Sequence, residues 1–144
     1  LIRKILLATD GSEPAEHALN FALDLAQHYS AEIHLLTVVP PVFLPAHSFN
    51  VVKTEAMVNA NLQLEDIFRE TLCNAEKKGK LKNVKISTIL EKGDPDQKIL
   101  EEAKNGCFDL IVMGSRGLGH RGYGLGSVSA SVADEANCPV LIVK

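Results

Sequence analysis

The chain has 144 residues, of which 46% are hydrophobic and 23% charged, and its formal net charge is −3. That length suits one domain able to bury roughly two-thirds of the surface its unfolded chain exposes, and the apolar content is too high for disorder. The slight acidic excess gives no bulk attraction to nucleic acid or an anionic membrane, and no run reaches the ~18 apolar residues of a membrane span.

Neither nucleic acid nor membrane is therefore expected as a partner. Cys73, Cys107 and Cys138 are odd in number and contain no C-x-x-C pair, which argues against a disulfide framework or a structural zinc site. Cys107 and Cys138 flank strand-like runs, where free cysteines usually behave as small buried hydrophobes. His17, His28, His34, His47 and His120 show no metal-ligand spacing, and no metal ligand is assigned. Leu1-Ile2-Arg3-Lys4 leads directly into a strand-like run rather than a signal peptide, so the expected compartment is the cytoplasm.

Ile5 to Thr9 is a short apolar run ended by Asp10-Gly11-Ser12, the pattern of a buried strand entering a turn. Ser12 can cap a helix over 13–29, with Pro14 in its first turn and Ala18, Ala22, Leu25 and Tyr29 at helical spacing. Ile33 to Val39 is the second strand, stopped by Pro40-Pro41, and an irregular stretch follows through Pro45 to about Asn50. Met57, Leu64, Phe68, Leu72 and Ala75 then mark a long amphipathic helix over about 53–78, ending before Gly79.

Val84 to Leu90 reads as a third strand, more alternating and so nearer a sheet edge. Asp94-Pro95-Asp96-Gln97 starts a third helix as cap, first-turn proline and capping-box glutamine, and Asn105-Gly106 closes it. Asp109 to Met113 is the fourth strand, about 127–135 the fourth helix and Pro139 to Val143 the fifth strand. Strands alternating with helices require right-handed parallel crossovers, so the expected fold is α/β, a single domain over 1–144 with an open five-stranded parallel sheet and helices on both faces. Such sheets bind ligands beyond the carboxyl ends of their strands. Periodicity does not give the strand order.

Six of the ten glycines lie between Gly114 and Gly126, joining the fourth strand to a helix that begins at Ser127. Glycine lets backbone N–H groups approach an anion, and a helix N-terminus adds unpaired donors, so phosphate is the natural guest. Arg116 and Arg121 could screen its charge and Ser127 could donate its hydroxyl; the alternative is a plain surface loop. Gly117-Leu-Gly119-His-Arg-Gly122 matches G-x-G-x-x-G, but no βαβ unit follows it, and no Gly-Lys-Ser/Thr occurs. Neither a dinucleotide fingerprint nor a Walker A loop is present.

Ala8-Thr9-Asp10-Gly11-Ser12, Gly93-Asp94-Pro95, Asp109 to Gly117, Gly126-Ser127-Val128 and Cys138 to Val143, in that order, resemble the universal stress proteins over the whole chain, specifically their nucleotide-binding class. The resemblance implies a Rossmann-like domain that binds ATP, or AMP or ADP, together with Mg²⁺, and that pairs with a second copy through its C-terminal strand. It implies that Ala8 and Asp10 lie near the ribose and the metal-phosphate region and that Val38 meets adenine with its backbone. Met113 and Gly114 would border base and ribose, and Arg116, Gly117, Gly126, Ser127 and Val128 would hold the phosphates. Taken alone, Val38 and Met113 read first as core residues, and Asp10 is equally a turn cap.

Leu118 to Leu125 is eight residues, one fewer than in that class's pattern, and the loss of one backbone-to-phosphate bond would weaken binding about ten- to a hundredfold. Three functions follow: a nucleotide-responsive regulatory module, a slow ATPase or nucleotidyl-transfer enzyme, or a dimeric scaffold with a vestigial loop. No nucleophile and base pair is evident, so no catalytic residue is assigned and the regulatory module is preferred.

Overall fold

The computed structural model describes residues 1–41, 55–118 and 124–144. Five strands and four helices alternate among them: β1 (Lys4–Ala8), α1 (Glu13–Tyr29), β2 (Glu32–Val39), α2 (Glu55–Leu81), β3 (Ile86–Lys92), α3 (Pro95–Gly106), β4 (Leu110–Gly114), α4 (Ser127–Glu135) and β5 (Val140–Val143). The irregular stretch expected around Pro45 to Asn50 lies outside the described residues, as do Gly119, His120, Arg121 and Gly122.

All strand pairs are parallel, in the order β3-β2-β1-β4-β5. The chain thus moves outward from β1 to β3, returns across the sheet through α3, and continues outward on the other side from β4. The order reverses between β1 and β4, and this is where an open parallel sheet leaves a crevice at its carboxyl ends. The alternating β3 is indeed an edge strand.

Side-chain parity explains why both faces are covered. On β1, Ile5 and Leu7 join Leu35, Val112 and the inner sides of α1 and α2, while Leu6 and Ala8 join Leu36, Met113 and the inner sides of α3 and α4. Ile5, Leu6, Leu7, Ile111 and Val112 are wholly buried, and each such side chain stabilises the fold by about 1.5–3 kcal/mol. The central strands therefore form a rigid floor whose carboxyl ends are held in fixed relative positions. Strand β5, at the opposite edge from β3, is only half-buried along its length.

Five details depart from the sequence expectations. Helix α2 continues through Gly79, because a side chain there would come within 2.5 Å of the Ile86 side chain and the glycine lets helix and strand approach. Strand β3 consequently starts two residues later, at Ile86, after Asn83 turns with φ 55°. At the end of α3 the left-handed residue is Cys107, with φ 51°, rather than Gly106, whose missing side chain makes room for the Phe108 ring. Cys107 is accordingly exposed, not buried; Cys138 is half-buried, and desolvation together with the Asp109 carboxylate pushes its thiol upward. Finally, Asp94 occupies the cap of α3 without a side-chain hydrogen bond, and the Gln97 N–H is satisfied by Asp96 instead.

Candidate functional site

The crevice is built from the points where strands stop. The Thr9 N–H donates to the Leu36 carbonyl at 3.0 Å, the last bond on that side of β2 before β1 turns away. The backbone of Val38 faces the same edge as that of Leu36, two residues earlier, and so extends past the end of β1 with its in-line donor and acceptor. Met113 and Gly114 end β4 beside it, paired in register with Ile142 and Val143.

From β1 the chain enters a turn organised by Asp10. Its Oδ1 accepts the Ser12 N–H at 3.0 Å, and Gly11 adopts φ 78° so that the chain can reverse. Ser12 then caps α1, its hydroxyl accepting the Ala15 N–H at 3.4 Å and lying 3.4 Å from the Arg116 carbonyl. The other carboxylate oxygen of Asp10 accepts the Leu118 N–H at 2.8 Å. One side chain therefore ties the β1 turn to the glycine-rich segment.

Three glycines of that segment serve different ends. A side chain at Gly114 would place its Cβ 2.8 Å from the backbone of Pro14 and Ala15, so this glycine lets the first turn of α1 rest on the end of β4. At Gly117 a Cβ would lie 2.7 Å from Asp10 Oδ2, so this glycine makes room for the carboxylate. Gly126 has φ −67° and a Cβ there would meet nothing closer than 3.5 Å, so neither backbone strain nor protein packing requires glycine at that position.

The segment's far end is held firmly. The Gly126 N–H donates to the Ser115 carbonyl at 2.8 Å, and the buried Ser129 hydroxyl lies 2.8 Å from the same carbonyl and 3.0 Å from that of Gly126. Arg116 donates through Nε to the Gly124 carbonyl at 3.0 Å, which leaves its terminal nitrogens for other partners. Helix α4 starts from Gly126 with no side-chain cap, and the first N–H bonded within the helix is that of Ala130, to the Gly126 carbonyl. The N–H groups of Ser127 and Val128 thus emerge at the positive end of the helix dipole without a capping oxygen.

These parts enclose a cavity of about 370 Å³ with mostly apolar walls. Ala8, Asp10, Val38, Met113, Gly114, Arg116, Gly117, Gly126, Ser127 and Val128, singled out from the sequence, all line it. Phe68 of α2, Ile99 of α3 and Ser129 line it as well and were not singled out. Phe68 and Ile99 were legible only as apolar positions of amphipathic helices, because spacing does not show which turn of a helix overhangs a strand end. For Ser129, a second serine two residues after Ser127 was the available signal.

The model of the universal stress protein family matches residues 1–144. Universal stress protein YxiE of Bacillus subtilis is 35% identical, with each chain covered in full. The structure of protein MJ0577 of Methanocaldococcus jannaschii superposes with a TM-score of 0.81 at 30% identity, covering 99% of this chain and 96% of that one. A universal stress protein solved in complex with cAMP superposes with a TM-score of 0.69 at 26% identity, covering 99% and 97%. A full-length family match, a relative matched end to end and the same doubly wound sheet agree: the chain belongs to the universal stress protein family.

Proposed function

We propose that this protein is a regulatory binding module for an adenine nucleotide, taking ATP, or AMP or ADP, in the cavity at the carboxyl end of the sheet, and that it works in the cytoplasm. The observation that carries this reading is the uncapped first turn of α4, whose free N–H groups open into an apolar cavity at the reversal of strand order. The phosphates would meet the N–H groups of Ser127 and Val128 and the terminal nitrogens of Arg116. The base would lie between Met113, Ile99 and Phe68, with the Val38 backbone on its hydrogen-bonding edge. Gly126 supports the same placement, since protein packing does not require its missing side chain. That a relative binds cAMP supports the adenosine part.

Mg²⁺ fits as a companion of the phosphates. Asp10 supplies the one carboxylate that lines the cavity among the described residues, and each of its oxygens keeps a second lone pair beyond its N–H donor. The ion would take most of its ligands from phosphate and water, with Asp10 at its edge.

The half-buried, apolar β5 completes the proposal as the edge along which two copies pair about a two-fold axis. No described helix is long and apolar enough to cross a membrane.

Calorimetric titration of nucleotide-stripped protein with ATP and Mg²⁺ tests the central reading. One saturable site per chain is expected, with competition by AMP and none by a nucleotide-free pentose phosphate at equal concentration. Heat that does not saturate, or equal competition by the sugar phosphate, would contradict adenine nucleotide binding.

A further inference from the structure

The carboxylate of Asp10 is seated against the glycine-rich segment. Its Oδ2 accepts the Leu118 N–H at 2.8 Å and faces the bare Cα of Gly117, where a Cβ would lie only 2.7 Å away. The other end of the segment is immediately adjacent, since the Gly117 nitrogen lies 3.7 Å from where a Gly126 Cβ would stand. Asp10 is therefore one residue's width from the entrance to α4, where the phosphate donors converge. Arg116, the one cation lining the cavity among the described residues, has Nε engaged by the Gly124 carbonyl.

A carboxylate held this close acts on the charge of whatever phosphate enters. We propose that Asp10 is a charge-selecting residue of this site, favouring a singly charged phosphodiester or a phosphate chain neutralised by a divalent cation over a bare dianionic monophosphate. The selection is electrostatic and one-sided. Repulsion between like charges a few ångströms apart grows with each negative charge on the ligand, and it is strongest at low ionic strength. Asp10 also occupies the Leu118 N–H, so a dianion loses a donor as well as meeting a charge. This inference rests on the nucleotide reading above, and it concerns which charge form that site accepts.

The test is a pair of titrations in EDTA at pH 8, where the AMP phosphate is dianionic and cAMP carries one charge. Wild type is compared with Asp10→Asn, which keeps the size of the side chain, and with Asp10→Ala, which avoids turning an amide N–H toward a backbone donor. Thermal melting of each variant shows that it is folded. The expected result is a gain of about tenfold in AMP affinity in both variants, with a much smaller change for cAMP, so that the ratio of the two affinities moves toward AMP.

Folded variants that bind AMP no better than wild type, while wild type binds both ligands, would overturn the charge-selecting role and leave the nucleotide site standing. A loss of both ligands in folded variants would overturn it too, and would make Asp10 a direct ligand of the sugar. Binding of neither ligand by wild type or variants would remove the nucleotide reading, and this inference with it.

Discussion

Gly114→Ala lowers stability by about 1–3 kcal/mol, the usual cost of forcing an extra methyl into a packed interior. The atoms in its way are backbone, Ala15 N and Pro14 C, both 2.8 Å from the new Cβ. Neither can rotate aside as a side chain would, so the start of α1 must move off the end of β4. For a chain of this size each kcal/mol is worth about 2–4 °C in melting temperature. Gly117→Ala is the matched control: its Cβ meets the end of the Asp10 side chain, which can swing away, so its loss of stability is smaller. Thermal melts of the two variants beside wild type check the order. A Gly114→Ala protein that melts with wild type would show that the contact between α1 and β4 is not tight.

Ser127→Asp separates binding from folding at the entrance to α4. Ser127 is exposed and occupies the first helical position, where a negative side chain interacts favourably with the helix dipole by about 0.3–1 kcal/mol. The fold is therefore kept or slightly stabilised. A phosphate at the same N–H groups would instead meet a like charge, worth about 4 kcal/mol at 4 Å in an effective dielectric of ~20 before screening by salt. The expected outcome is a ten- to hundredfold loss of ATP affinity, about 1.4–2.8 kcal/mol, with an unchanged or raised melting temperature. Affinity equal to wild type in a folded variant would place the phosphates elsewhere.

The element series was legible because this sheet is parallel and buried on both faces. Ile5 to Leu7 and Ile111 to Met113 have no polar alternation, and each run is followed by its own turn signal, Asp10-Gly11 or Gly114. Strand order was not legible, since nothing local to α3 states that it carries the chain back across β2 and β1. Boundaries slipped where packing overrode a local rule. Gly79 reads as a helix stop, yet the helix runs on through it to Leu81 because Ile86 packs against it, and Gly106 yields the left-handed cap to Cys107 because Phe108 needs its space.

At the site, the resemblance supplied the list of residues, and the glycine-rich segment alone pointed only to an anion. Sequence could not tell that Gly114 and Gly117 answer needs of the fold while Gly126 does not, because each distinction depends on a neighbour distant in the chain. The double engagement of Asp10 is of the same kind: the Ser12 N–H is two residues away, but the Leu118 N–H lies 108 positions on.

Nucleotide binding at the carboxyl end of the sheet is tested most directly by mapping backbone amide resonances of ¹⁵N-labelled protein while AMP is added. The largest shifts are expected at Val38, Gly126, Ser127 and Val128, saturating together, with the opposite end of the sheet around Ala31 and Asn83 unmoved. Saturating shifts confined to that opposite end, or no shifts at millimolar AMP, would contradict it.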